Sequence, residues 1–199
     1  MNAHIADIAS RIGELERELH REIEHEIEEK QRQYHYTIEK GKIAFDSETS
    51  AVHKQLREGQ VAFLGSTPIA KLLVAPVIFS LIIPLVLLDV WVWIYQALCF
   101  PVYKIAKVDR SRYILFDRRH LRYLNWIEHL YCHYCAYANG LVAYVREVAA
   151  RTEQYFCPIK HALRRPDQHS HYKEFLDFGD AYAYKQQLAH LRAVLREVR

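Results

Sequence analysis

The sequence predicts an all-α protein in three parts: an amphipathic, coiled-coil helical arm over residues 1–66, a membrane segment over residues 67–103, and a cytoplasmic helical domain over residues 104–199. Three observations predict it. Apolar residues recur at helical intervals near the N-terminus, Leu72–Tyr103 carries one formal charge, and only 6 Gly and 6 Pro occur in 199 residues. No Asn-Gly turn separates two alternating strands, so helices are expected to dominate.

The N-terminal arm has apolar residues at alternating intervals of three and four, which place a narrow seam on one side of a helix. The seam consists of Ile5, Ile8, Ile12, Leu15 and Leu19, and continues after a one-residue slip with Ile23, Ile27, Tyr34 and Ile38. The other positions are rich in glutamate, so the seam is the part that such a helix would bury. The pattern predicts a self-associating coiled coil. The alternative is packing of the seam on the C-terminal helix of the same chain.

The arm is expected to break near Gly41 or at Asp46-Ser47. A second amphipathic piece over Ser47–Leu64 then leads to the membrane segment. Thr67 before Pro68 predicts a helix start, because an N-cap oxygen and a first-turn proline both suit the unpaired amides there.

The membrane segment is a 32-residue run, Leu72–Tyr103, with Asp89 as its single formal charge. A straight helix needs about 20 apolar residues to cross a hydrocarbon core of about 30 Å, so the run is too long for one upright helix and too short for two. Pro84 lacks a backbone donor and favours a kink or a reversal. Three arrangements remain: a re-entrant hairpin with both ends inside, a tilted single span, and a buried helix of a soluble oligomer.

Basic residues are concentrated after this run. Residues 104–122 hold seven Lys and Arg against Asp109 and Asp117. Because Lys and Arg near a segment end stay on the cytoplasmic side, the polar parts are expected in the cytoplasm. The flank also suits anionic lipid headgroups, at about 1 kcal/mol per basic residue, although an ordinary topology flank would look the same. The net charge of +3 is too small to predict a nucleic-acid partner.

Four residues after the membrane segment predict a metal centre. Cys132 and Cys135 form a C-x-x-C pair, and Cys157 and His161 form a second pair at i,i+4 spacing. A Cys₃His set suits zinc or an iron-sulfur cluster, since a cytoplasmic chain rarely keeps disulfides. Two alternatives remain: a reversible dithiol of Cys132 and Cys135, or small buried hydrophobic residues beside tyrosines.

Geometry constrains this prediction. If Asn139-Gly140 ends one helix, a plain antiparallel hairpin keeps the two pairs about 20 Å apart. Closure of the site requires the second helix to stop early, with Pro158 opening a new helix, or requires the pairs to come from different subunits.

The remaining charged residues predict structure rather than chemistry. Glu147 and Arg151 form an i,i+4 ion pair, and His169 and His171 are expected in a solvated loop before a tail helix that begins near Asp180. No Gly-rich phosphate loop, G-x-S-x-G or H-E-x-x-H occurs in the sequence, so enzymatic activity stays open.

Residues 72–162 contain the motifs APVIFSLIIPLVLLD, CFPVYKI, YLNWIE, the C-x-x-C pair and RTEQYFCPIKHA. Through these motifs the chain resembles an uncharacterised family of bacterial membrane-associated proteins. The resemblance implies bacterial origin and association with the inner membrane, and it implies no chemistry.

Together these patterns predict a homo-oligomeric, membrane-anchored scaffold whose Cys/His centre holds structural zinc or an iron-sulfur cluster. Two alternatives stand beside it. One is a membrane redox protein that passes electrons through an iron-sulfur centre. The other is a membrane adaptor whose cysteines are incidental.

Overall fold

The computed structural model describes residues 3–39, 42–164 and 166–196. These residues are predominantly helical, which confirms the all-α class, and they include one two-stranded hairpin that the sequence pattern did not predict. The chain divides into two compact units: Met1–Gln60 with Asp117–Trp126, and Val61–Phe116 with Ile127–Arg199. The segment predicted for the membrane therefore shares a unit with most of the predicted cytoplasmic domain.

The first unit begins with a long helix, α1 (Ala3–Gln33), which confirms a helical arm but ends earlier than expected. His35 adopts a left-handed backbone conformation with φ 52° and reverses the chain. Strands β1 (Tyr36–Glu39) and β2 (Lys42–Phe45) follow and pair antiparallel, with Tyr36 opposite Phe45. The predicted helical seam therefore ends at Ile27. Gly41 and the side chain of Ile5 lie outside the described part of the chain.

The predicted second amphipathic piece divides into two helices, α2 (Ser47–Gln55) and α3 (Gln60–Ser66). Asp46 caps α2, since its carboxylate accepts a hydrogen bond from the Thr49 amide at 2.7 Å. Thr67 is not the helix cap that the sequence predicted. Its hydroxyl instead donates to the Phe63 carbonyl oxygen at 2.7 Å, at the end of α3.

Helices α4 (Ile69–Ser80) and α5 (Ile82–Tyr103) form the apolar run, and they meet at Leu81. Pro84 explains the break, because it has no N–H to donate to the Ser80 carbonyl and its ring crowds the preceding turn. Leu81 keeps right-handed helical dihedrals, φ −61° and ψ −16°, so Ile69–Tyr103 continues as one apolar span without a reversal. Of the three arrangements that the sequence left open, the re-entrant hairpin is therefore not formed.

A 31-residue helix, α6 (Trp126–Phe156), packs along α4 and α5. Side-chain contacts between them proceed in the same order along both partners, so the helices run parallel. These contacts pair Phe79 with Tyr131, Asp89 with Tyr137, Gln96 with Tyr144, and Tyr103 with Tyr155.

Residues 104–116, the return segment, connect the end of α5 back towards the start of α6. Lys104 begins the reversal with a left-handed conformation, φ 57° and ψ 38°. Farther along, the Gln96 side chain accepts a hydrogen bond from the Val108 amide and donates to the Val108 carbonyl oxygen, as a neighbouring strand would. Its amide nitrogen also donates to the Tyr144 hydroxyl. One buried side chain thus joins α5, the return segment and α6.

Gly140 lies inside α6, so the helix end predicted at Asn139-Gly140 is wrong. A Cβ atom at this position would lie 2.5 Å from the Tyr113 carbonyl oxygen and 2.9 Å from the Ile114 Cα. Gly140 is therefore the residue over which the return segment crosses α6. Its role is close approach of two backbones, not a left-handed turn.

The core of the second unit centres on Phe100, Leu141, Tyr144 and Leu195, each at most 1% exposed. Leu195 follows α7 (Ala181–Val194), which begins where the sequence predicted the tail helix and has Asp180 as its N-cap. Gln154 of α6 donates to the Leu191 carbonyl oxygen at 3.0 Å. The tail helix therefore packs on α6.

Gly140→Ala is expected to lower the free energy of unfolding by about 2 kcal/mol, because the added Cβ displaces the return segment. Helix propensity alone predicts the opposite sign, a gain of about 1 kcal/mol. The check is the denaturant midpoint followed by circular dichroism in detergent. Gly13→Ala in α1, where nothing lies within 4 Å of the new Cβ, is the control and should be neutral or stabilising. Equal or higher stability of Gly140→Ala would contradict the close approach.

Candidate functional sites

The structure places the two predicted metal-binding pairs at opposite parts of α6. Cys132 is half-buried and Cys135 is exposed, both in the N-terminal third of the helix. Cys157 is exposed and directly follows the last residue, Phe156. Because α6 is unbroken, Cys135 and Cys157 are about 30 Å apart at 1.5 Å per residue. The structure does not bring these thiols together within one chain.

The Cys157–His161 pair is also not helical, so the new helix at Pro158 that closure of the site required is not formed. The chain after Phe156 is extended: the Leu176 amide donates to the Pro158 carbonyl oxygen, and the Lys160 amide donates to the Leu176 carbonyl oxygen. A residue before proline is pushed out of the helical region, which ends α6 at this point. The His161 ring is 51% exposed and stacks beside Tyr172.

Within the described ranges, no group of three or more His, Cys, Asp or Glu side chains is arranged to hold a metal ion. Cys132 and Cys135 remain i,i+3 neighbours on one helix, a spacing at which two thiolates face the same side. A centre built from the predicted set, Cys132, Cys135, Cys157 and His161, therefore requires donors from more than one chain.

Asp89, the single charged residue of the apolar run, forms an ion pair. Arg110 of the return segment donates to both Asp89 oxygens, with Nε–Oδ1 at 3.0 Å and Nη2–Oδ2 at 2.6 Å. The Tyr137 hydroxyl of α6 donates to Oδ2 at 2.9 Å. Asp89 is thus satisfied by groups from both neighbouring elements. The sequence showed an isolated carboxylate but gave no sign of its partners.

A second polar network lies in the C-terminal half of α6. Arg151 donates from Nε to Glu147 Oε1 at 2.8 Å, the predicted i,i+4 pair, and from Nη1 to the Ala106 carbonyl oxygen at 2.7 Å. His171 Nε2 lies 3.1 Å from the same Glu147 oxygen, and Nδ1 lies 2.7 Å from Gln154 Oε1. The network ties α6 to the return segment and to the residues before α7.

His171 has a hydrogen-bond partner at each ring nitrogen. Gln154 donates from Nε2 to the Leu191 carbonyl oxygen, and its Oε1 lies at His171 Nδ1. The Glu147 carboxylate lies at the other ring nitrogen. The ring therefore joins two side chains of α6.

The hydrogen bond from His171 holds the pKa of Glu147 at about 2, well below its ordinary value of 4.5, and the Arg151 guanidinium acts in the same direction. Burial opposes both effects, because it disfavours the charged carboxylate. The carboxylate side chain is 15% exposed, so its partners carry the balance.

The sequence predicted that His169 and His171 lie in a solvated loop, and this prediction is wrong. Their side chains are 10% and 14% exposed. Tyr172, Phe175 and Leu176 are buried beside them and hold this stretch against the protein. His169 Nε2 lies 3.0 Å from Glu153 Oε2. An open cleft of about 510 Å³ borders Glu147 and His169. We interpret these paired carboxylates and imidazoles as contacts that hold residues 169–176 against α6, rather than as catalytic groups.

Two apolar surfaces are exposed. The first is the α1 seam, defined in the structure by Ile8, Ile12, Leu15, Leu19, Ile23 and Ile27, each between 41% and 63% exposed. The second is the outer face of α4 and α5, whose members are between 51% and 73% exposed: Leu73, Val77, Ile83, Leu87, Val90 and Leu98. The span Ile69–Tyr103 is long and apolar enough to cross a membrane by length and composition. Extended apolar surface of this kind is typical of interaction sites.

Comparisons with protein-family models, with curated proteins and with solved structures find no match for this chain. The resemblance proposed for residues 72–162 stays a prediction. The two apolar surfaces and the polar networks are therefore the features of the molecule that bear on its function.

Acid is expected to weaken the protein through Glu147. Because its pKa is depressed on folding, the stabilisation is present above the unfolded value of 4.5 and is lost as the pH falls towards about 2. Glu147→Gln should lower the free energy of unfolding at pH 7 by on the order of 2 kcal/mol, measured by urea denaturation. It should also make the fall of that free energy below pH 4.5 less steep. Glu16→Gln, on the exposed surface of α1, is the matched control and should change neither. An unchanged acid limb in Glu147→Gln would count against the network.

Proposed function

We propose that the protein is a membrane-anchored, self-associating scaffold of the bacterial inner membrane, with its polar parts in the cytoplasm. The single observation that carries this proposal is the presence of two exposed apolar surfaces on different compact units of one chain. One surface has the shape of a coiled-coil seam, and the other has the length and composition of a membrane helix. The two surfaces suit two partners: a second copy and a lipid bilayer.

The seam supports self-association. It follows one side of α1 over about 28 Å, from Ile8 to Ile27, at 1.5 Å per residue. Most of the other described side chains of α1 are polar or charged and exposed, so the seam is the apolar surface that α1 has available to bury. An isolated helix of this kind gains most of its stability from packing such a stripe against a partner.

The α4–α5 face supports anchoring. Trp91 and Trp93 are 72% and 63% exposed and project from the helix, as aromatic residues do at headgroup depth. The exposed basic residues Lys104 and Lys107 follow directly in sequence. Apolar, aromatic and basic groups in this order are suited to a membrane with anionic lipids.

The metal centre enters this proposal as a contact between subunits. Two thiols on one helix face supply half of a tetrahedral zinc site, and a second chain in the assembly supplies the other half. The membrane redox protein requires iron at the same residues, and the adaptor requires no metal at all.

Self-association is tested by placing charges on the seam. Leu15→Glu with Leu19→Glu is expected to lower the association constant at least tenfold, because each carboxylate must be desolvated in the interface. The check is molar mass by light scattering in detergent. Arg17→Glu, off the seam on the same helix, adds the same charge and should keep the wild-type mass. A wild-type mass for the double variant would exclude the seam as the interface.

The metal proposal is tested by elemental analysis and visible spectra of protein purified without oxygen. The scaffold with an intersubunit site predicts stoichiometric zinc in a colourless preparation, and loss of that zinc in the Leu15→Glu, Leu19→Glu variant. A brown preparation with iron and sulfide would favour the redox protein. Metal-free protein whose assembly survives Cys132→Ser with Cys135→Ser would favour the adaptor.

A further inference from the structure

Helix α5 has two chemically different sides, and α4 contacts α6 through the stacked rings of Phe79 and Tyr131. One side is the exposed apolar face described above. The opposite side, which includes Asp89, Val92, Gln96 and Phe100, packs against α6 and the return segment. This two-sided arrangement bears on how the helix pair sits relative to a membrane.

Charged groups lie beside the middle of α5, not at its ends. Arg110 meets Asp89, seven residues into α5, and its side chain is 43% exposed. Asp109 and Arg112 of the same segment are also exposed. If the run Ile69–Tyr103 crossed a bilayer upright, Asp89 would lie three residues from its midpoint, and these partly solvated charges would lie near the membrane centre. Charges at that depth are costly, and those that occur there are shielded from lipid.

The two tryptophans of α5 also lie beside its middle. At about 100° per residue, Trp91 lies on the outer face in line with Leu87 and Leu98, whereas Trp93 lies about 160° away, next to the buried side. Indole rings are enriched at headgroup depth. The middle of α5 is at that depth in a helix that lies in the membrane surface, but not in an upright one.

We propose, building on the membrane anchoring proposed above, that α4 and α5 lie in the plane of an anionic membrane surface. Their outer face contacts the acyl chains, and α6 with the part of the return segment around Arg110 faces the water. Charge supports this occupant: three exposed lysines, Lys71, Lys104 and Lys107, lie at the two ends of the run, where headgroups are within reach, whereas Arg110 pairs with Asp89 on the inner side. The outer face of α4 and α5 therefore binds one leaflet of a bilayer that contains anionic lipid. No part of Ile69–Tyr103 reaches the opposite leaflet.

The depth of single spin labels tests this orientation. In a full-length background with its four cysteines replaced by serine, labels are placed at Leu73, Ile83, Val90 and Leu98, and the protein is bound to vesicles of phosphatidylethanolamine and phosphatidylglycerol. Collision rates with oxygen and with a water-soluble nickel chelate give the depth of each label. Circular dichroism confirms that each variant is folded.

An in-plane helix predicts similar, shallow depths for all four labels. An upright helix predicts deep labels at Ile83 and Val90 and shallow ones at Leu73 and Leu98, since these positions extend over about 37 Å at 1.5 Å per residue. That second pattern would overturn the inference and leave membrane anchoring intact. Full nickel access at all four labels would instead overturn the anchoring itself.

A label at Ser111, beside Arg110, is the matched control on the opposite side. It should stay fully accessible to nickel in the in-plane arrangement, and protection of this label by lipid would contradict it. Binding to vesicles of phosphatidylcholine alone should be weaker, on the order of a hundredfold for three net positive charges. Equal binding to both vesicle types would reject the anionic surface as the occupant.

Discussion

The parallel alignment of α5 and α6 is the constraint on which the second unit depends. Because α5 ends beside the C-terminal end of α6, the chain must travel back about 45 Å along α6 before that helix begins. The return segment covers the first part of this path with Ile105, Val108 and Ile114 buried, so its backbone groups need partners inside the protein. Gln96 supplies one set of partners, and Gly140 supplies the space for the crossing.

That arrangement also separates the two sides of the α4–α5 pair. The return segment brings Arg110 to Asp89, and α6 brings the Tyr137 hydroxyl to the same carboxylate. A charge that would otherwise interrupt the apolar run is thereby satisfied on the inner side. The outer face is left uniformly apolar, which is the property that the proposed anchoring requires. The inner side of these helices thus packs within the protein, and the outer side is the one proposed to contact the membrane.

Two predictions based on local chemistry were confirmed: α7 begins directly after Asp180, and Glu147 and Arg151 pair one turn apart, because helix starts and i,i+4 contacts are set within a few residues. A third, an N-cap at Thr67, was wrong, because the Thr67 hydroxyl donates to the Phe63 carbonyl oxygen instead. Predictions that required knowledge of distant partners were wrong. Gly140 is a residue type typical of helix ends, but here it allows close contact with Tyr113, 27 positions earlier. His169 and His171 have the composition of a loop, but buried aromatic neighbours hold them against α6.

The sequence by itself determined the helical class, the seam of α1 and the apolar character of residues 72–103, because periodicity and composition are properties of consecutive residues. Only the tertiary structure decided that α4 and α5 continue in one direction, that α6 is unbroken, and that Cys135 and Cys157 are far apart. The direction of a chain after a proline depends on which surfaces it buries against distant elements. The distance between the two predicted ligand pairs depends in turn on whether α6 continues through Gly140, where the return segment packs against the helix.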